Sequence, residues 1–276
     1  MLNKFFIEKH IKNALEEDIG FGDITTDYLT TESDTMSCTL NTRVDGIFCG
    51  KDVLETVFKV LSPKIEITFY FNDGDEIKKG DKIADISGPA RYILMGERTA
   101  LNYVQRMSGI ATETNKYQKA IGEYKAKIVD TRKTTPGFRA FEKYSVKIGG
   151  GALHRFNLSD CAMIKDNHIK FSGTLTNAVT KLKKNISHAH KIEVECDTIE
   201  QVKEALSCSV DIIMLDNMTI EQMKDCVELI NGQAIVEASG GVNIDTVKSI
   251  ASTGVDIISS SAIVAKAQTL DLGLDM

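Results

Sequence analysis

Three things are missing from this chain, and each absence excludes a class of protein. Six cysteines stand at 38, 49, 161, 196, 208 and 226, but there is no CxxC pair and no histidine partner at zinc-ligand spacing. A thiolate metal site is thereby excluded, and the cysteines read as reduced, mostly buried thiols. No run of like charge occurs; with a net charge of −6 and a pI near 5.5 the chain lacks the basic surface that tracks nucleic-acid phosphates. No apolar run is long enough to span a bilayer, and the opening MLNKFFIEKHIKNALEED carries acids where a signal peptide would continue apolar. The expectation is a protein of the cytoplasm that binds neither nucleic acid nor membrane. Its 276 residues, 42% apolar and 26% charged, suffice for one large α/β domain or two modest ones.

What is present is concentrated in residues 130–168, DTRKTTPGFRAFEKYSVKIGGGALHRFNLSDCAMIKDNH. Arg132, Lys133, Arg139, His154, Arg155, Lys165 and His168 crowd around a Pro-Gly turn and a Gly-Gly-Gly run. Cations set beside glycines whose backbone N–H groups can approach a ligand suit a small polyanion.

The chain on either side supplies the scaffold. Phe6, Ile7, Ile11, Ala14 and Leu15 recur at helical spacing; CTLNTRVDGIFCG reads as a strand entering a turn, and VLETVFKVL as a short helix stopped at Pro63. IEITFYF and NDGDEIKKGDKIADISGP read as strands with glycine turns. A helix is predicted over about 90–114, with Ala100, Val104, Met107 and Ala111 on one face and Arg98 in the first turn of the pattern. By itself Arg98 reads as a solvated surface charge. Beyond it, short apolar runs alternate with helical patterns. TIEQVKEAL and TIEQMKDCVELI make Thr198 and Thr219 N-caps, with Gln201 and Gln222 completing capping boxes. Glu195, Asp216, Ser239 and Ser260 follow strands at intervals of 21, 23 and 21 residues, which fits successive βα units of a parallel sheet. So many units in one direction favour an α/β barrel, whose strand ends meet on one face.

In such a barrel Arg132, Lys165, Glu195, Asp216 and Ser239 converge. Arg and Lys clamp carboxylates or phosphates. Two acids cannot bind phosphate directly, but through a hard cation such as magnesium they can. Ser239, Gly240 and Gly241 in EASGGV form a turn expected to open a helix at Asn243, where N–H groups favour a phosphate. A Schiff-base role for Lys165 is the rival reading, disfavoured by the surrounding cations. His154 reads as a packed histidine, and His10, His188 and His190 as surface residues.

These motifs resemble a known family. DTRKTTPG-x-R, K-Y-x-V-x-x-GGG-x-x-HR, IKDNH, EVE, LDN, EASGG and GVDIIS, with LEEDIGFGDITT and GERTALNYVQRMSGIAT before them, look like quinolinate phosphoribosyltransferase over almost the whole chain. The resemblance implies an α/β fold with an N-terminal α/β sandwich domain (1–110, the tail 265–276 packing on it) and an incomplete, seven-stranded α/β barrel (111–264). It implies a homodimer with shared active sites, higher assembly being left open, and phosphoribosyl transfer from phosphoribosyl pyrophosphate (PRPP) to quinolinate with decarboxylation. Carried over residue by residue, Arg132, Lys133, His154, Arg155 and Lys165, with Arg98 from the partner, would hold the carboxylates of quinolinate and the charges of PRPP. Glu195 and Asp216 would hold PRPP and its Mg2+, and Ser239, Gly240 and Gly241 the 5-phosphate. Lys133, Lys165, Glu195 and Asp216 would carry catalysis, with no organic cofactor.

Three departures mark this chain. Leu153 stands where the family has Asn, 157–160 read Asn-Leu-Ser-Asp in place of Gly-Leu-Tyr-Asp, and Ser261 replaces a phosphate-contacting glycine, whose added Cβ could crowd the phosphate. A paralogue of the molybdate-transport-associated type, or a non-catalytic anion-binding scaffold, are the competing expectations. Retention of TRKTTPGFR with IKDNH opposes the first, and the intact Glu195 and Asp216 oppose the second.

Overall fold

The computed structural model describes residues 2–276. Helix α1 (Lys4–Ile19) opens on Asn3, whose side-chain oxygen accepts the N–H of Phe5 at 2.9 Å. It buries Ile7, Ile11 and Leu15 and stops at Gly20, which takes φ 57°. A turn, α2 (Thr26–Leu29), leads to β1 (Thr35–Thr42) and β2 (Gly46–Ile47). Val53, Leu54, Val57 and Phe58 give α3 (Lys51–Leu61) its buried face, and Ser62-Pro63 ends it. Strands β3 (Glu66–Phe69), β4 (Glu76–Ile77) and β5 (Lys82–Pro89) follow.

The long helix α4 (Ala90–Ile121) outruns the predicted one, because Thr114, Tyr117 and Ile121 prolong its buried stripe through the polar ETNKYQK. Because α4 starts at Ala90, Arg98 lies well inside the helix and not in its first turn; its side chain is exposed.

Next come β6 (Lys127–Val129), α5 (Arg139–Ile148), β7 (Ala162–Ile164), α6 (Asp166–Ser172) and α7 (Leu175–Asn185). Then β8 (Ile192–Cys196), α8 (Ile199–Ser207), β9 (Ile212–Asp216), α9 (Ile220–Ile230) and β10 (Ile235–Ser239) keep the predicted rhythm. Both predicted capping boxes are present: Gln201 N–H donates to Thr198 Oγ1 and Gln222 N–H to Thr219 Oγ1, each at 3.2 Å. The chain closes with α10 (Val247–Ala251), β11 (Ile257–Ser259), α11 (Ala262–Ala265) and β12 (Leu272–Asp275).

By contact density the chain forms two compact units. The first comprises Met1–Asn115, Pro136–Gly150 and Ala267–Met276. Its sheet is antiparallel in the order β12-β1-β5-β3, so the last strand of the chain pairs with the first. Leu40, Phe48, Leu54, Phe58, Ile86 and Phe141 are fully buried in its core. His10, expected on the surface, is half-buried there: Nδ1 lies 2.6 Å from the Tyr103 hydroxyl, and its ring packs against Phe141 with centroids 4.8 Å apart. Helical spacing alone could not show that an aromatic cluster would cover it.

The second unit comprises Lys116–Thr135 and Gly151–Lys266. Its six strands are parallel, in the order β6-β11-β10-β9-β8-β7. An isolated parallel bridge between Val129 and Ala152 marks a seventh position beside β6. No ladder joins Ala152 to β7 among the described residues. From β7 to β11 every connection contains a helix, and α7, α8, α9 and α10 each pack on a strand of the sheet, the arrangement that covers a parallel sheet. None of the described helices is long and apolar enough to cross a membrane. All six cysteines are free, with Cys38, Cys49, Cys196 and Cys226 buried and Cys161 and Cys208 partly so.

Candidate active site at the strand ends

In the second unit the carboxyl ends of the strands bring together most of the residues singled out in the sequence. Lys165 directly follows β7, Glu195 is the penultimate residue of β8, and Asp216 and Ser239 end β9 and β10. Register puts Ile164 opposite Val194, so Lys165 falls beside Glu195, and the two side chains form an ion pair. Ser239 pairs with Asp216 across the β9–β10 ladder. Lys165 also precedes α6, and its N–H donates to His168 Nδ1 at 3.0 Å, which gives His168 a capping role.

Asp216 is oriented by its neighbour. Asn217 Nδ2 donates to Asp216 Oδ2 at 2.7 Å, and the Asn217 N–H donates to the Ser239 carbonyl at 3.0 Å. Asn217 holds φ 54°, a left-handed conformation that asparagine tolerates better than most residues. Gly240 and Gly241 are left-handed too, at φ 86° and 63°. A Cβ on Gly240 would lie 2.1 Å from Asn217 Oδ1, so only glycine fits against that amide. A recess of about 270 Å³ adjoins the turn, lined by Asn217, Thr219, Gly240, Gly241 and Thr246. The larger groove of about 1010 Å³ belongs to the first unit, between α1 and α3, and is lined by none of the expected site residues.

The expected helix at Asn243 begins four residues later, at Val247, and lasts one turn. Asn243 is spent on capping: its Oδ1 accepts the N–H groups of Asp245 and Thr246 at 2.9 and 3.0 Å. So short a helix offers little dipole, and anion binding here falls to the Gly240–Gly241 backbone. Ser261 sits at φ −74°, ψ −18°, a conformation open to any residue, so replacing the family's glycine costs no backbone strain.

Arg132 and Lys133 lie exposed in the loop after β6, shaped by a Lys133 N–H bond to Thr131 Oγ1 at 3.0 Å. Arg155 is half-buried, with its guanidinium donating to the Cys161 carbonyl at 2.9 Å and lying 3.3 Å from Met163 Sδ. His154 is turned into the strands. Its N–H donates to Asp130 Oδ1 at 2.9 Å, its Nδ1 accepts the Arg155 N–H at 2.7 Å, and its Nε2 lies 3.4 Å from Glu193 and 3.3 Å from Glu237. Arg98 belongs to the first unit.

Glu193 and Glu237, part of the EVE and EASGG motifs, are not among the site residues expected from the sequence, yet both are essentially closed to solvent. The signal was present: each stands two residues before an expected site residue, Glu195 or Ser239, and so on the same face of its strand. Burial alone would lower the His154 pKa, but the bonds and charges of the two carboxylates outweigh it and raise the value to about 10. Burial likewise raises the pKa of Glu193. Three donor atoms so close could in principle hold a metal. Nε2 faces the two carboxylates as a proton donor, however, and a protonated nitrogen has no lone pair for a metal.

Two compact units, one with parallel strands that present cations, acids and a Gly-Gly turn at one end, define an α/β protein built to handle a phosphorylated anion. The profile of the quinolinate phosphoribosyl transferase C-terminal domain matches residues 110–275, and that of the N-terminal domain residues 23–108. The chain belongs to the quinolinate phosphoribosyltransferase family. A probable nicotinate-nucleotide pyrophosphorylase (carboxylating) of Bacillus subtilis is 37% identical over 100% of this chain and 95% of its own length. A quinolinate phosphoribosyltransferase (decarboxylating) of Nicotiana tabacum is 40% identical over 97% and 81%. The solved nicotinate-nucleotide pyrophosphorylase of Francisella tularensis superposes with a TM-score of 0.95 at 38% identity, covering 100% and 97%.

Proposed function

We propose that this protein transfers the phosphoribosyl group of PRPP to quinolinate with loss of carbon dioxide, giving nicotinate mononucleotide and pyrophosphate for NAD synthesis. The observation that carries this reading is the convergence of Lys165, Glu195, Asp216 and the Ser239–Gly241 turn at the strand ends in a chain of this family. Arg132, Lys133, Arg155 and Lys165, beside His154, present positive charge to the two ring carboxylates and to PRPP. The N–H groups of Gly240 and Gly241, with Ser239 and Ser261, receive the 5-phosphate.

Glu195 and Asp216 fit a hard cation: Lys165 takes one oxygen of the first and Asn217 one of the second, so each keeps an oxygen for Mg2+ or a ribose hydroxyl. Bound with PRPP, magnesium would neutralise the charge of the departing pyrophosphate. Lys133 and Lys165 add fixed positive charge where negative charge develops. The pyridine nitrogen attacks ribose C1 while the bond from C1 to pyrophosphate breaks, taking its electron pair with it. Holding the two substrates in line is worth up to roughly 7–11 kcal/mol in favourable cases. The bond from ring C2 to its carboxylate then breaks, its electron pair staying at C2 beside the cationic nitrogen, and a proton from solvent completes the product. The substrate serves as its own electron sink, so no organic cofactor is needed.

Arg98 completes the site from a second copy of the chain, as the resemblance implies, and the protein works in the cytoplasm. Offered quinolinate and nicotinate side by side with PRPP and magnesium, the protein should consume quinolinate alone; consumption of nicotinate alone would overturn the reading. Mixing Arg98→Ala with Lys165→Ala protein should restore part of the activity that each lacks. No recovery despite demonstrated subunit exchange would count against the shared site.

A further inference from the structure

Glu193 and Glu237 take no part in the steps above, yet both are closed to solvent. Their side chains are 0% and 1% exposed. Neither oxygen of Glu193 nor Oε1 of Glu237 has a hydrogen bond of normal length among the described residues. Carboxylates in such a place oppose folding, and apolar side chains of similar volume would serve stability as well or better. Met214, which pairs with Glu237 in the β9–β10 ladder and with Glu195 in the β8–β9 ladder, shows that an apolar residue fits this face. Two buried acids converging on one imidazole need another reason to be there.

The bonds of His154 supply one. Its Nε2 lies between the two carboxylates, and its Nδ1 accepts the Arg155 N–H. Asp130 Oδ1 takes the His154 N–H, and the Arg155 guanidinium is tied to Cys161 and Met163. The ring is thus a strut between the carboxylate pair and the backbone of Arg155. This stretch follows Ala152, where no strand ladder continues to β7, so side-chain bonds must do the holding that a ladder does elsewhere.

We propose that Glu193 and Glu237 are positioning residues for the pyridine dicarboxylate, acting through the His154 ring to fix the place of Arg155. The inference rests on the reading above that His154 and Arg155 belong to the quinolinate side of the site. It concerns geometry and charge below the substrate, not contact with the substrate.

The test is steady-state kinetics on Glu193→Gln and Glu237→Gln, which keep volume and remove charge, with each substrate varied in turn. The expected result is a quinolinate KM raised roughly tenfold to a hundredfold, the scale of a lost charge-assisted hydrogen bond, with the PRPP KM unchanged. Glu237→Asp, which keeps the charge, should fall closer to the parent than Glu237→Gln, and it serves if either Gln variant fails to fold. His154→Ala and Arg155→Ala, run alongside, should raise the quinolinate KM as well. If those two do so while the Glu variants leave it unchanged, the inference is overturned and the functional reading stands. If all four leave it unchanged, the reading of the site falls, and the inference with it. An equal rise in both KM values would also overturn the positioning role, since it would indicate general loosening of the unit.

Discussion

The two units solve the problem of filling an interior in opposite ways. The first packs Leu40, Phe48, Leu54, Phe58 and Phe141 into an apolar core, and its half-buried His10 finds hydroxyl and aromatic partners. The second places Glu193, Glu237 and His154 on the inner face of its parallel strands, where aliphatic layers are the rule. Burying apolar area stabilises at about 25 cal/mol per Å², whereas burying charges costs several kcal/mol each before pairing. One interior therefore serves the fold, and the other gives up some stability to shape a site.

This contrast can be broken from either side. The largest loss of stability is expected in the first unit from Gly109→Ala, because a Cβ there would lie 2.0 Å from the Gln268 carbonyl oxygen and neither backbone can yield. Overpacking of this kind costs about 1–3 kcal/mol or more; thermal unfolding should show the drop, with the KM values of the remaining folded protein unchanged. Asp216→Asn should do the reverse, leaving the melting temperature near the parent value while kcat falls more than roughly a hundredfold, beyond the loss for an outer-shell partner.

Gly240→Ala lies between these extremes. The new Cβ would displace Asn217, and with it the bond that orients Asp216. Moderate destabilisation with a raised PRPP KM is expected, and calorimetric titration with PRPP and magnesium would measure the loss without turnover.

The raised pKa of His154 makes a smaller effect readable by pH. An unfolded histidine titrates near 6.5, whereas the folded value is about 10. The stabilisation from this raised pKa is complete below about pH 6.5 and is lost as pH rises through 10. The melting temperature of the parent should therefore fall between pH 7 and 10 more steeply than that of His154→Ala. At the bottom of the scale, Lys12→Ala removes an exposed ion pair with Glu8 and should leave the melting temperature unchanged.

Much of this was legible in the sequence because it is written locally. The capping boxes at Thr198 and Thr219, the spacing of Glu195, Asp216 and Ser239, and the placement of Lys165 at a strand end depend on neighbours a few residues away. His10 was misjudged because its partners Tyr103 and Phe141 are remote in the chain. The helix start was placed too early because Asn243, an apt N-cap, caps a turn first. Glu193 and Glu237 escaped because acids in a short apolar run suggest a strand end, and only the alternation of side chains reveals that they point where Glu195 and Ser239 point.

The most direct test of the proposed chemistry follows the carboxylate itself. With quinolinate labelled at the 2-carboxyl carbon, PRPP and magnesium, the account predicts labelled carbon dioxide released in step with nicotinate mononucleotide, one for one. A nucleotide product that retains the label, or no nucleotide at all from protein shown to bind PRPP, would contradict it.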